Sequence, residues 1–212
     1  MIISGGSIND EFVLDCMKKI APDVSIGVDR GLSFLYRNQI MPTHIVGDFD
    51  SVPFEVLAYY QQETKVPVMR LNPIKDETDT ESALSFAVEL GAKKVFLLGA
   101  TGTRLDHVWA NVQILKIALD SDVEAYILDS NNRISLWQKE IRLSKENHIG
   151  TYFSLFPLGE AVEDISIEGA KYPLSHYRMC SYDSRCVSNE LVGQDVRITF
   201  PQGIVILMET RD

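Results

Sequence analysis

Two hydrophobic rhythms alternate along the first 130 or so residues of this chain. Short apolar runs of β-branched character give way to stretches whose apolar side chains recur every three and four residues. The runs predict strands at residues 1–3, 24–28, 44–46, 66–71, 94–98 and 123–128. The longer stretches predict helices at 9–20, 31–38, 53–63, 80–90 and 105–119. Pro22 closes the first helix, Pro53 stands in the first turn of the third, and Gly91 follows the fourth. Strict alternation of this kind implies a mostly parallel sheet with helices on both faces, an α/β, Rossmann-like layering. Past Asn131 the helical period stops. Short alternating segments at 134–137, 151–156, 165–167, 196–200 and 204–208 follow, punctuated by Gly and Pro. They predict a C-terminal antiparallel β-sandwich. The change falls between residues 130 and 150, so the expected units are 1–135 and 136–212.

Charge narrows the class of partner. The 212 residues carry 30 Asp and Glu against 20 Lys and Arg, a net charge of −10, and offer no basic stripe for a phosphate backbone. Nucleic acid is not an expected partner. No apolar run reaches the roughly 18 to 20 residues of a membrane span, and Met1–Gly6 lacks the basic and apolar regions of a secretory leader. The expected location is the cytoplasm, away from membranes. Cys16, Cys180 and Cys186 are odd in number and form no Cys-x-x-Cys, which argues against a disulfide framework or a zinc site. Cys16 falls on an apolar helix face and reads as core, and the other two read as reduced.

In an open parallel sheet, ligands bind beyond the carboxyl ends of the strands. Four successive strand ends here carry acids. Asp29-Arg30-Gly31 follows the second strand and Gly47-Asp48-Phe49-Asp50-Ser51 the third. Lys75-Asp76-Glu77-Thr78-Asp79 follows the fourth, and Gly99-Ala100-Thr101-Gly102-Thr103-Arg104-Leu105-Asp106-His107 the fifth. Crowded carboxylates repel one another unless a cation is present, and hard oxygen ligands suit Mg²⁺. Magnesium held by few carboxylates works beside substrate phosphates. Lys75, Arg104 and Arg30 supply charge for those phosphates, and Gly99, Gly102 and the helix after them supply backbone N–H groups. The set suggests transfer of a nucleotide phosphate group.

Each piece also has a plainer explanation. Asp48 and Asp50 belong to a turn that is also suited to capping the helix at Pro53, and Asp76 and Asp79 are placed to cap the helix at Thr80. His107 and Asn111 share a helix face and suit either a ligand or internal packing. Ser4-Gly5-Gly6-Ser7 is either a phosphate contact or a tight turn. Trp109 and Trp137 read as core. The glycine loop lacks Gly-Lys-Ser/Thr, so it is no P-loop, and Gly-x-Gly-x-x-Gly is also missing.

In order and spacing, three of these strand-end loops resemble thiamin pyrophosphokinases: Gly47-Asp48-Phe49-Asp50-Ser51, Lys75-Asp76-x-Thr78-Asp79-x-Glu81 and Gly99-x-x-Gly102-x-Arg104-x-Asp106-His107 with Asn111. Tyr152-x-Ser154-Leu155-x-Pro157, Gly169-x-Lys171-Tyr172-Pro173-Leu174 and Ser188-Asn189-Glu190 are similar to that family's β domain. Arg30, Ala100 and Thr103 stand where the family commonly has glycine. The resemblance implies pyrophosphoryl transfer from ATP to the hydroxyl of thiamin, giving thiamin diphosphate and AMP with Mg²⁺. It further implies a homodimer with thiamin between the α/β unit of one copy and the β unit of the other. Carried over residue by residue, Asp48, Asp50 and Asp79 would hold Mg²⁺, while Asp76, Lys75 and Arg104 would orient the triphosphate. Asp106 would support Arg104 or the nucleotide. Asp29, Arg30, Ser51, Thr78, Thr101, Gly102, His107 and Asn111 belong to the same nucleotide side. Ser188, Asn189 and Tyr172 would meet thiamin from the partner subunit. Asp50 and Asp79 are alternative acceptors for the hydroxyl proton.

Overall fold

A computed structural model describes residues 1–72 and 76–212. The chain divides into two compact units, Met1–Ser130 and Asn131–Asp212. The sequence-based boundary at 135/136 lies inside a strand of the second unit, because Asn132–Trp137 pairs throughout with Val205–Thr210.

The first unit runs β1 (Ile2–Ile3), α1 (Asp10–Ile20), β2 (Ile26–Val28), α2 (Gly31–Arg37), β3 (His44–Gly47), α3 (Phe54–Ala58), β4 (Val68–Arg70), α4 (Asp79–Glu89), β5 (Lys94–Leu98), α5 (Leu105–Asp120) and β6 (Glu124–Leu128). All six strands are parallel, in the order β4-β3-β2-β1-β5-β6. Ile2 and Ile3 point to opposite faces of the sheet and both are fully buried, so helices cover both faces, as the continuous apolar strands require. The predicted helix 53–63 is α-helical only to Ala58 and continues as a π-helical turn, Tyr59–Glu63. There the Tyr60 ring is buried and its hydroxyl donates to Ile40 O at 3.1 Å.

Strand order reverses between β1 and β5. The chain winds from β1 outward to β4, then returns to the other side of β1. Such a switch point opens a crevice at the carboxyl ends of the two neighbouring strands. Here the loops leaving β1 and β5 run side by side. Ser4 N donates to Leu98 O at 2.8 Å, Gly6 N to Gly99 O at 2.7 Å and Ser7 N to Thr101 O at 2.7 Å. A Cβ on Gly6 would stand 2.2 Å from Thr101 O and 2.5 Å from Gly99 O, so only glycine permits this approach.

The second unit contains β7 (Asn132–Trp137), β8 (Ile141–Ser144), β9 (Tyr152–Pro157), β10 (Ala161–Glu168), β11 (Leu174–Cys180), β12 (Asp195–Thr199) and β13 (Val205–Thr210). β7, β13 and β9 form one antiparallel layer, with β13 in the middle. The other layer has the order β11-β10-β12-β8. Side chains from both layers, among them Phe153, Leu155, Ile165, Val196, Ile198 and Leu207, share one core. The result is the expected sandwich. Glu209 on β13 is buried and tied by Arg133 Nε at 2.5 Å and His148 Nδ1 at 2.8 Å. Cys16, Cys180 and Cys186 are free thiols and buried. Trp109 departs from expectation, being 49% exposed on α5, whereas Trp137 packs against the sandwich core and bonds Ser135 Oγ.

Candidate functional site

A cleft of about 620 Å³ lies at the switch point of the first unit. Each acidic side chain in it arrives for a local reason. Asp29 follows β2 in a left-handed conformation, with φ +43°. Its carboxylate lies against Gly47, where a Cβ would be 2.1 Å from Oδ1, and it accepts from Phe49 N at 3.4 Å. Phe49, with φ +68°, turns its ring into the core, which leaves Asp48 and Asp50 on the cleft. Asp48 Oδ1 accepts from Asp50 N at 3.0 Å. The helix after this turn begins at Pro53 with no side-chain cap, so neither Asp is spent on capping it. Thr78 caps α4 instead, its hydroxyl accepting from Glu81 N at 3.1 Å. Asp79, the first residue of that helix, thereby faces the cleft.

Asp29, Asp48 and Asp79 each offer an oxygen within 4.8 Å of the others. Burial, then the hydrogen bond and charge of Asp79, then the charge of Asp48, push the Asp29 carboxyl up to about 8. Three converging hard-oxygen donors fit a divalent cation, which would relieve the repulsion. The family resemblance assigns Asp50 to this group in place of Asp29. The structure brings Asp29 in, and leaves Asp50 exposed on the same cleft wall.

The remainder of the wall holds Arg30, Ser51, Thr78, Thr101, Gly102, Arg104, His107 and Asn111, all expected from the sequence. Asn111 is buried and its Nδ2 donates to Ala100 O at 2.7 Å, which fixes the glycine loop from beneath. Arg104 makes a two-point ion pair with Asp106, Nη2 to Oδ2 at 2.5 Å and Nε to Oδ1 at 3.2 Å. That pairing raises the Arg104 pKa and lowers that of Asp106. Asp106 is not a wall residue and reaches the cleft only through this ion pair with Arg104. Asp76 is exposed in the bend before α4, and it too is not part of the wall. Lys75 lies outside the described residues.

The sequence reading did not single out Thr80, Val28, Thr103 and Val108, which also line the cleft. Thr80 Oγ1 lies 3.0 Å from the buried Ser4 Oγ and ties the first turn of α4 to the end of β1. The signal for Thr80 was its place directly after Asp79. Its partner, 76 residues away, left no local trace.

Tyr172, Ser188 and Asn189 belong to the second unit. Tyr172 is 56% exposed, and Ser188 is exposed in a left-handed conformation with its N donating to Ser154 Oγ at 3.0 Å. Asn189 is buried.

Comparison with known proteins agrees with this layout. Residues 19–127 match the model of the thiamin pyrophosphokinase catalytic domain, and residues 138–205 that of the thiamin pyrophosphokinase vitamin B1 binding domain. Thiamine pyrophosphokinase of Bacillus subtilis is 29% identical over 206 residues, covering 92% of this chain and 95% of the relative. The crystal structure of the Bacillus subtilis thiamine pyrophosphokinase superposes with a TM-score of 0.88 at 28% identity, over 100% of this chain and 98% of the other. That of Geobacillus thermodenitrificans gives 0.83 at 30% identity, over 100% and 96%. Apart from Ser4–Ser7, the cleft is lined by residues that match the catalytic model, and Tyr172, Ser188 and Asn189 fall in the part that matches the vitamin-binding model. With both domains present in that order, this chain is an enzyme of the thiamin pyrophosphokinase family.

Proposed function

We propose that the protein transfers the pyrophosphoryl group of ATP to the hydroxyl of thiamin, giving thiamin diphosphate and AMP, with Mg²⁺ as the metal. The observation that carries this reading is the convergence of Asp29, Asp48 and Asp79 in a cleft that the glycine loop also lines. Asp48 and Asp79, with Asp29, would hold the cation, and Asp50 stands beside them on the wall. When bound, Mg²⁺ neutralises phosphate charge and makes the β-phosphorus more electrophilic.

The chain's own groups do the rest. Thr101 and Gly102 offer backbone N–H groups to phosphate oxygens. Arg104, aimed by Asp106, and Arg30 hold the triphosphate, with Lys75 and Asp76 on the adjoining segment. His107 and Ser51 border the nucleotide. The thiamin hydroxyl oxygen attacks the β-phosphorus while the bond to the oxygen retained by AMP breaks on the far side. Asp50 or Asp79 accepts the hydroxyl proton. Fixing the three phosphates in line removes most of the orientational cost. Tyr172 and Ser188, on the β unit of a partner copy, face the pyrimidine, so the working form is a homodimer. The expected compartment is the cytoplasm. Among the described residues, no helix is long and apolar enough to cross a membrane.

The test is a product assay with ATP, thiamin and Mg²⁺, resolved by chromatography. Equimolar AMP and thiamin diphosphate, abolished by EDTA, are expected. ADP with thiamin monophosphate would overturn the assignment of the attacked phosphorus.

A further inference from the structure

Asn189 uses its amide on the backbone of a neighbour. Its side chain is 3% exposed. Oδ1 accepts from Tyr172 N at 2.9 Å and from Glu190 N at 3.0 Å, and Nδ2 donates to Tyr172 O at 2.8 Å. Both polar backbone groups of Tyr172 are therefore taken by one planar amide. The Asn189 backbone is itself anchored, exchanging bonds of 2.8 and 2.9 Å with Phe153 on β9. A second tie runs alongside, in which Lys171 N donates to Glu190 O at 2.9 Å and Lys171 Nζ meets Glu190 Oε1 at 2.6 Å. The Lys171 ammonium lies 5.6 Å from the Tyr172 ring centroid. The backbone beneath Tyr172 is pinned to the sandwich at several points, while the residue as a whole stays more than half exposed.

From this geometry we infer that Asn189 is a positioning residue. It acts on thiamin by holding Tyr172 and makes no contact with thiamin itself. The inference rests on the functional reading above, in which Tyr172 faces thiamin. The chemistry selects Asn. Asp supplies the acceptor for both N–H groups but presents a second oxygen to Tyr172 O in place of a donor. Ala supplies neither. Gln is one methylene too long for a site packed this tightly.

A double-mutant cycle tests it. Wild type, Asn189→Ala, Tyr172→Ala and the double variant are compared in steady-state assays with thiamin and ATP varied separately. Asn189→Ala is expected to raise KM for thiamin about ten-fold, the scale of one well-placed contact, and to leave KM for ATP unchanged. Tyr172→Ala should do the same, and the double variant should be no worse than Tyr172→Ala alone. Asn189→Asp, which keeps the two accepting bonds, should fall between wild type and Asn189→Ala. If Asn189→Ala does not fold, Asn189→Asp with Tyr172→Ala completes the same cycle. Factors that multiply in the double variant would overturn the inference, because Asn189 would then have its own contact with thiamin. An unchanged thiamin KM in a folded Asn189→Ala would also overturn it. Wild-type protein that makes no thiamin diphosphate would defeat the functional reading instead, and that is seen before any variant is compared.

Discussion

Replacing Gly47 with Ala probes how the carboxylate cluster is held. The new Cβ would stand 2.1 Å from Asp29 Oδ1, 3.0 Å from Asp29 Cγ and 3.2 Å from Phe49 Cε1. Real Cβ atoms keep at least 3.0 Å from a neighbour, so the Asp29 oxygen must retreat by 3.0 − 2.1 = 0.9 Å or more. It gives way easily, being the end of a side chain, but in moving it leaves its place beside Asp48 and Asp79. A misplacement of about 1 Å at a reacting centre costs on the order of 100-fold in rate. The backbone adds a smaller stability cost, since φ is +154° at this residue and a disfavoured conformation for a non-glycine residue is worth about 1–3 kcal/mol. At about 2–4 °C per kcal/mol for a chain of this size, the melting temperature falls by only several degrees. The expected outcome is a folded protein at 25 °C with kcat down about 100-fold and a raised Mg²⁺ requirement. Steady-state assays across a Mg²⁺ series, beside calorimetry, measure both. Adding Asp29→Ala to Gly47→Ala removes the clash but not the backbone strain, so neither turnover nor the lost stability should recover. Gly47→Ala with wild-type turnover and wild-type Mg²⁺ dependence would refute the reasoning, because the seat of Asp29 would then have no bearing on the chemistry.

Three further outcomes follow from other side chains. Burial pushes the Glu209 carboxyl up, but the bonds from His148 and Arg133 outweigh it and hold it below the ordinary range. A lowered folded pKa contributes stability above the unfolded value of about 4.3 and loses it as pH falls through the lower folded value. Urea melts between about pH 6 and pH 3 should therefore show wild type losing stability more steeply than Glu209→Gln, with the variant weaker by about 3–5 kcal/mol near neutral pH because it takes the buried carboxylate out of its bonds to Arg133 and His148. Arg104→Ala should raise KM for ATP and lower kcat/KM by about 100-fold. Asp106→Ala, which only frees the Arg104 side chain, should cost less than ten-fold in the same assay, about the value of one exposed ion pair.

Much of the first unit was legible because its strands are buried on both faces and its helices on one, so period and composition report burial directly. Ile2–Ile3 and Lys94–Leu98 are clear cases. The acidic rim was legible for the same reason, since once the strands are known their carboxyl ends are known. The β-sandwich was less so. β11 went unseen because its alternation breaks at His176, whose φ is +50°, and β10 was read as only 165–167 because Asp164, at φ +55°, interrupts it. The ladder shifts register twice, between Val162 and Ile165 at Asp164 and between Ile165 and Ile167 opposite His176, and a bulge erases the period of two on which strand reading depends. β8 has the right alternation but spans four residues, too few to stand out. Asp29 beside Asp48 and Asp79, Thr80 against Ser4 and Asn189 against Tyr172 all depend on contacts between residues distant in the chain. No local spacing encodes them.

The pairing of β1 with β5 has a bearing on synthesis. Ile3 and Lys94 are separated by 91 positions, which at roughly 5–20 residues per second takes roughly 5–18 s to translate. Through that interval β1 has a neighbour on one side alone, and Ser4–Ser7 lacks the Leu98, Gly99 and Thr101 carbonyls that shape it. The glycine-loop side of the cleft therefore takes shape only once β5 has been made, after the loops that carry Asp29, Asp48 and Asp79, and it is the last part of the cleft that a nascent chain completes.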